Sequence, residues 1–333
     1  MPPVNAPGFR GAKRQPRNAS ARKCQTMSSS SARPVISIGA IHLDTIAHAT
    51  RTVRRETSTP AAFSSNPGGV AANIARALCR LGIDTSLVGA LGDDSAARML
   101  TGRLTGEGLT LACVTRPAMA TGQYLALHDP DGSLAAACVD DRILSEAPAD
   151  LFDQILEELM ARAPRETLWF LDANLPERML VRVAAMLDGR RMIANAVSEA
   201  KASRLTPVLA SLDCLLLNRG EAAALTGLSG DAPQETLADA LSGTGLHSWV
   251  LTGGRDDILV ARAGSLTRFT PPAVDIVDVT GAGDALAAGT LAALARGYAL
   301  AEAVPFGLAA ASLTLRATGA LAANLSWDAL NDI

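Results

Sequence analysis

The ten residues Asp275-Ile-Val-Asp-Val-Thr-Gly-Ala-Gly-Asp284 read as an apolar strand, a glycine-rich turn and the start of a long Ala/Leu helix. Such a turn leaves the backbone N–H groups of Gly281, Ala282 and Gly283 unpaired at a helix N-terminus, where the positive dipole end favours an anion. A phosphoryl group in transfer is an anion of that kind. Asp284 falls in the first turn of the same helix, so its carboxylate stands beside the cradle, placed to take the proton of an attacking hydroxyl. By itself the segment reads equally well as a tight turn with an Asp N-cap. A dinucleotide-binding turn fits less well, because Leu286 stands where G-x-G-x-x-G needs its third glycine.

Two more segments carry residues of the right kind. In Asn66-Pro-Gly-Gly-Val-Ala-Ala-Asn73 the paired glycines Gly68 and Gly69 let backbone approach a ligand closely, and Asn73 falls on the first turns of the helix that follows. Ile38-Gly-Ala-Ile-His-Leu-Asp44 ends the first strand with a carboxylate at the C-terminal edge of the sheet, where open α/β folds bind their ligands. Asp and Asn suit sugar hydroxyls. Singly, each segment is more often a turn or a cap; their order along the chain, together with the Gly-Ala-Gly-Asp turn, is the specific signal.

The elements that must position these residues alternate. Buried strands are expected at Val35 to Ile41, Thr85 to Gly89, Leu168 to Leu171, Arg191 to Ala194, Cys214 to Leu217 and Trp249 to Thr252. Helical spacing covers Gly69 to Leu81, Ser95 to Gly106, Pro176 to Leu187, Ser198 to Ala210 and Arg219 to Gly227. This is the pattern of a mostly parallel sheet covered by helices, an α/β fold. Two stretches, at about 45–63 and 110–140, break the rhythm with frequent Thr and Val and turn signals such as Asp129-Pro130-Asp131-Gly132. They read as strands of a small separate sheet inserted into the main domain, placed to cover a substrate or to pair two copies of the chain.

Composition narrows the chemistry. The 333 residues are 48% hydrophobic, enough for a sizeable core, and the longest apolar stretch, around Ala285 to Ala295, ends at Arg296, far short of the roughly 20 residues of a membrane span. No membrane association is expected. The only lysines are Lys13, Lys23 and Lys201, and neither a G-x-x-x-x-G-K-[ST] loop nor the V-A-I-K and H-R-D set exists. P-loop and protein-kinase chemistry are excluded. Five scattered cysteines without a C-x-x-C pair point to a reducing cytoplasm. With 3% aromatic residues and a net charge of −3, the chain lacks the platform and field that polymeric nucleic acid requires. Residues 1–33 hold seven basic and no acidic residues; removing those seven charges from −3 leaves the body at −10. That segment reads as a disordered basic extension, or as sequence upstream of a true start at Met27, with a targeting peptide as the alternative.

From Pro34 onward the sequence resembles the PfkB/ribokinase-like carbohydrate kinases. The Gly68-Gly69-x-x-x-Asn73 string, Asn218-Arg-Gly-Glu221 and Asp278-Val-Thr-Gly-Ala-Gly-Asp284 stand in that family's order. The resemblance implies a ribokinase-like three-layer α/β/α sandwich with a central mostly parallel sheet and a small β-sheet lid, and ATP-dependent phosphorylation of a sugar hydroxymethyl group. It makes Asp284 the general base, with Gly281, Ala282 and Gly283 stabilising the transferred phosphoryl group. Asp44, Gly68, Gly69 and Asn73 become sugar contacts. Asn218 and Glu221 become the pair that holds Mg²⁺ through water. Asn195, Asn218, Thr252 and Gly254 fall on the nucleotide side, although Asp257 stands where a glycine is usual. Asp278 resembles part of a monovalent-cation loop, which makes K⁺ an expected activator; the second half of that loop, Gly319 to Asn324, departs from the usual pattern.

The substrate side has its own signals. Val70 replaces the Lys that ribokinase-type members carry beside the paired glycines, which counts against free ribose. The Gly-Gly-Val form, the lid stretch Tyr124-Leu-Ala-Leu-His-Asp-Pro-Asp-Gly-Ser, Leu171-Asp-Ala-Asn-Leu-Pro176 and Val197-Ser-Glu-Ala-Lys-Ala202 resemble the pseudouridine kinases among these enzymes. Asn174 and His42 are therefore expected at the substrate, His42 in the place of an Asn two residues before Asp44; a histidine merely filling a strand end reads equally well. Phosphorylation of the 5'-hydroxyl of a nucleoside such as pseudouridine is the leading expectation. Another sugar or nucleoside kinase of this type, or a non-catalytic binding protein of the same fold, are the alternatives, and the small sheet offers an edge for a homodimer.

Overall fold

The structure, a computed structural model, describes residues 32–332. The expectation for the basic extension lies outside the described residues apart from its last two. Of these, Arg33 belongs to the body: its N–H donates to the Ala295 carbonyl and its guanidinium to that of Leu294.

In chain order the strands are β1 (Val35–Ile38), β2 (His42–Ala49), β3 (Ala61–Gly68), β4 (Thr85–Leu91), β5 (Thr110–Thr115), β6 (Gln123–His128) and β7 (Leu134–Asp140). Then follow β8 (Leu168–Asp172), β9 (Arg191–Asn195), β10 (Cys214–Asn218), β11 (Ser248–Gly253), β12 (Asp256–Arg262) and β13 (Ser265–Phe269). Nine of them form one sheet in the order β13-β12-β11-β10-β9-β8-β1-β4-β5, and four form a second in the order β3-β2-β6-β7. The large sheet is parallel from β5 to β11, and β12 and β13 close that edge antiparallel.

Continuous apolar runs make strands that are buried on both faces. In β8, Leu168 and Phe170 pack with the helices Val70–Arg80, Ala282–Ala295 and Leu300–Leu315, while Trp169 and Leu171 pack with Asp153–Arg162 and Glu177–Met186 on the opposite side. Three layers result. Ala282–Ala295 is buried from Ala285 to its end, as a helix apolar on every side must be. It meets Leu300–Leu315 at two glycines: a Cβ on Gly289 would enter the Phe306 carbonyl, and one on Gly307 would strike the Leu286 carbonyl and the Thr290 hydroxyl.

Several expectations need correction. The first strand does not run to Ile41; it stops at Ile38, and the chain crosses at Gly39 to Ile41 into β2 of the small sheet, so His42 and Asp44 lie on that sheet. A Cβ on Gly39 would enter the Asp172 carboxylate, so only glycine lets the chain turn away there. Residues 110–115 are not in the small sheet, because β5 pairs with β4 at the far edge of the large one. No strand precedes Gly281: Pro271 and Pro272 cannot donate to a ladder, and Ile276, Val277 and Val279 stay exposed. The helix expected from Ser198 to Ala210 is one turn, Glu199–Ala202, followed by a 3₁₀ stretch, Ser203–Ser211, that contains Pro207. No helix among the described residues is long and apolar enough to cross a membrane.

Candidate active site

Asp284 enters the site from the first turn of Ala282–Ala295, after Gly281 has turned through a left-handed φ of 74°. Its Oδ2 accepts a 2.9 Å hydrogen bond from Asn73 Nδ2, on the helix Val70–Arg80. Burial pushes the Asp284 carboxyl up to about 7; the Asn73 bond opposes this, and the nearby Asp172, Asp44 and Glu221 carboxylates add to it. A carboxyl that titrates near neutrality is the tuning a general base needs.

Asp44 sits on β2 opposite Asn66 of β3. Burial pushes it up to about 6, against the pull of Arg76. Gly68 leaves the room its carboxylate occupies, since a Cβ there would overlap it, and a Cβ on Gly69 would strike the Ala40 carbonyl. Arg76 fixes this corner: it holds Glu107 through Nε and Nη2 at 2.7 and 2.8 Å and donates to the Pro67 carbonyl at 3.1 Å. Asp44 Oδ1, Asn73 Oδ1 and His42 Nε2 are buried without a hydrogen-bond partner. Such orphans carry a free-energy penalty unless a ligand satisfies them. Hydroxyl groups can satisfy all three.

Asn174 belongs to a buried network that the sequence reading only partly anticipated. At the end of β8, Asp172 accepts from the Ala40 and Ala71 N–H groups at 3.1 and 2.9 Å, and from both the N–H and the side-chain amide of Asn174 at 3.0 and 3.1 Å. Asn174 Oδ1 in turn accepts from Lys201 Nζ at 2.6 Å. Lys201 also faces Asp141 Oδ2 at 3.9 Å. His42 lies within the field of both; burial first, then Lys201, lower it to about 4, so the ring is neutral near pH 7. Neither Asp172 nor Asp141 stands out as a site residue in the sequence, and Lys201 stands out only by its isolation in a lysine-poor body. The signal for Asp172 was there: a single acid ends an otherwise apolar strand.

The residues expected on the nucleotide side line one edge. Asn195 and Asn218 end β9 and β10, Thr252 is the last residue but one of the neighbouring β11, and Asn218 is directly opposite Thr252. Asn195 Oδ1 accepts from the Val197 N–H at 2.8 Å, where Val197 takes an unusual φ of 68°. Thr252 and Gly254 border a cleft of about 650 Å³ that reaches Ala282 and Gly283 of the cradle and is walled by Ile258, Leu308 and Leu315. Asp257 turns from it to Thr270 and Arg268. Asn218 caps the helix Arg219–Thr226 in a reciprocal box with Glu221, each bond 2.9 Å. Burial raises the Glu221 carboxyl and Glu199 adds to it. Asn218 and Glu221 offer oxygen atoms that suit a hydrated Mg²⁺, and among the described residues no group of three or more His, Cys, Asp or Glu could hold a bare ion. Asp278 joins two loops, accepting from the Thr280 and Gly319 N–H groups at 2.8 Å each.

Gly281→Ala tests the cradle. A Cβ would meet the backbone of Ala320 from a left-handed conformation, so the variant is expected to lose about 1–3 kcal/mol of stability and at least about 100-fold in kcat. Wild-type turnover in this variant would show that the turn does not hold the transferred group.

A three-layer α/β/α sandwich thus sets a buried carboxyl, raised toward neutrality, at the N-terminus of Ala282–Ala295 and beside a polar corner of Asp44, Asn73 and His42. A profile of the pfkB family carbohydrate kinases matches residues 32–327. The chain belongs to that family. It is 28% identical over 285 residues to a pseudouridine kinase of Escherichia coli, covering 84% of this chain and 90% of that one. It is 25% identical over 290 residues to a ribokinase of Haemophilus influenzae, covering 85% of this chain and 92% of that one. Among solved structures, a carbohydrate kinase from Agrobacterium tumefaciens superposes with a TM-score of 0.80 at 28% identity, covering 90% of this chain and 96% of that one. A ribokinase from Arabidopsis thaliana, complexed with ribose and ATP, superposes at 0.78 with 22% identity, over 91% and 98% of the two chains, and speaks for the fold alone.

Proposed function

We propose that this kinase uses Mg-ATP to phosphorylate the 5'-hydroxyl of a nucleoside, with pseudouridine, giving pseudouridine 5'-phosphate, as the leading substrate. The observation that carries the reading is the polar cluster of His42, Asn174, Lys201 and Asp141 beside Asp44 and Asn73. Asp44 and Asn73 account for ribose hydroxyls. A simple sugar leaves the remaining cluster without a task, whereas the N–H and C=O edges of a uracil ring match an ammonium, an amide and a neutral imidazole. The resemblance to a pseudouridine kinase agrees with this.

In the proposed reaction Asp284 accepts the proton of the 5'-hydroxyl while Asn73 holds the other edge of its carboxylate in position. The N–H groups of Gly281 and Gly283 meet the negative charge of the group in transfer, whereas the Ala282 N–H, expected to stand unpaired, already donates to the Val279 carbonyl at 3.3 Å. The cleft by Thr252 and Gly254 takes the adenosine. Asn218 and Glu221 would hold Mg²⁺ through water, and the ion would supply neutralising charge to the phosphates. The small sheet acts as a lid that keeps water from the phosphoryl group, and Asp278 with the Gly319 loop is the place for K⁺. The scattered free cysteines fit a cytoplasmic enzyme.

The test is ADP release with Mg-ATP against pseudouridine, uridine, adenosine, ribose and fructose. Turnover confined to pseudouridine supports the reading. Preference for ribose or fructose overturns the nucleoside assignment, and binding of a substrate without any turnover would leave a non-catalytic binding protein. The pH profile adds a second check. Asp284 acts as a base only when ionised, so kcat/KM is expected to fall on the acid side with a midpoint near pH 7. Asn73→Ala removes a bond that favours the ionised form, so the limb should move to higher pH by about one pH unit. A limb that stays in place would break the link between Asn73 and the base.

A further inference from the structure

One row of side chains crosses the small sheet beside the site. Asn66, Asp44, Tyr124 and Val139 are successive partners on β3, β2, β6 and β7, so all four point to the same face. That face is turned to Asp284, since the Asp44 carboxylate acts on the Asp284 carboxyl and fills the room left by Gly68. Tyr124 and Val139 therefore form a floor beside Asp44. His42 lies two residues before Asp44 on β2, about 7 Å nearer the large sheet, and there it feels Lys201 and Asp141, the latter just past the end of β7.

The floor is open. Val139 is 52% exposed and Tyr124 is partly exposed, so an uncovered apolar surface adjoins the buried polar corner of Asp44 and Asn73. Among the described residues Tyr124 is also the one Phe, Tyr or Trp ring on that face. The others lie in or against the core or in the stack of Tyr298, Phe306 and Trp327, while Phe63, the partner of Ala47, is on the reverse face of the small sheet. A planar ring laid on an aromatic side chain gains attraction whatever groups its edges carry, which a sugar ring does not match. A sugar held at Asp44 and Asn73 would leave the floor bare.

We infer that Tyr124, with Val139 beside it, is the platform on which the heterocycle of the substrate stacks, and that it sets the preference for a nucleoside over a free sugar. The inference rests on the nucleoside reading given above. The ring lies face-on against Tyr124, its ribose reaches Asp44 and Asn73, and its polar edge points toward His42, Lys201 and Asn174. Recognition is thereby divided: the platform tells a base from no base, and the polar groups tell one base from another.

The test compares the full chain with Tyr124→Ala, Tyr124→Leu and Tyr124→Phe, by isothermal titration with pseudouridine, uridine and ribose and by KM and kcat with Mg-ATP. Tyr124→Ala is expected to raise Kd and KM for the nucleoside at least tenfold, with a far smaller effect on kcat and on ribose affinity. Tyr124→Phe keeps the ring and should stay within about threefold of wild type. Tyr124→Leu, apolar but without a ring, should fall between; it carries the test if the alanine variant does not fold, which the unliganded thermal midpoint decides. Wild-type nucleoside affinity in the Ala and Leu variants would overturn the platform and leave the nucleoside reading standing. Equal losses for ribose and nucleoside, or a loss in Tyr124→Phe as large as in Tyr124→Ala, would also overturn it. A wild type that binds neither nucleoside would overturn both.

Discussion

Asp284→Asn is expected to reduce kcat by about 10²- to 10⁴-fold, with KM for both substrates changed little, and to make the protein more stable at pH 8 than the wild type. Both halves come from one property. The carboxyl is pushed up to about 7 in the fold, from an ordinary value of 3.8. Between those values the unfolded chain gives up a proton that the folded protein keeps, so wild-type stability falls as pH rises through that window, and the full penalty remains above pH 7. Asparagine keeps the shape and does not ionise. Thermal denaturation should therefore place the variant about 2 to 5 °C above wild type at pH 8, with the difference gone at pH 4. A variant that loses activity but shows no pH-dependent gain would mean that Asp284 is not held in a desolvated pocket.

Asp172→Ala carries the largest expected loss of stability. It strips the acceptor from the buried N–H groups of Ala40, Ala71 and Asn174 and leaves the Asn174 amide unpaired on one side. Unsatisfied buried donors cost about 1–3 kcal/mol each, and with partial relaxation the total should be about 3–5 kcal/mol. Urea denaturation should show a lowered midpoint with an unchanged slope. A loss below about 1 kcal/mol would mean that the crossing from β1 to β2 is held elsewhere. Asp172→Asn should fall between, since an amide keeps one acceptor but turns a donor toward other donors.

The fold was legible where a local pattern dominates. Apolar runs such as Leu168 to Leu171 and Trp249 to Thr252 are strands, and Ser95 to Gly106 is a helix begun by an Asp94 cap whose carboxylate accepts from the Ala97 N–H. It was illegible where tertiary pairing decides. Thr110 to Thr115 reads as a strand from its Thr and Val, and nothing local says that it joins β4 rather than β6. The antiparallel strands β12 and β13 carry exposed charges on a sheet edge, which hides their period. At the site, glycine and Asn/Asp positions were readable because they form compact strings. Asp172, Asp141 and Lys201 meet only in three dimensions, from a strand end, a loop and a one-turn helix.

The two glycine contacts between Ala282–Ala295 and Leu300–Leu315 have a mechanical meaning. Where backbone lies on backbone there is no side chain to re-pack, so sliding or rolling of either helix drives carbonyl into Cα. Asp284 and the Gly281 turn, the proposed base and cradle, ride on the end of that seam and share its stiffness. They act as the stator of the machine. In the proposed reaction, closure over the substrate would then be travel of the four-stranded sheet toward a stationary Asp284, hinged on its few tethers, among them the Gly39 to Ile41 crossing that Asp172 pins.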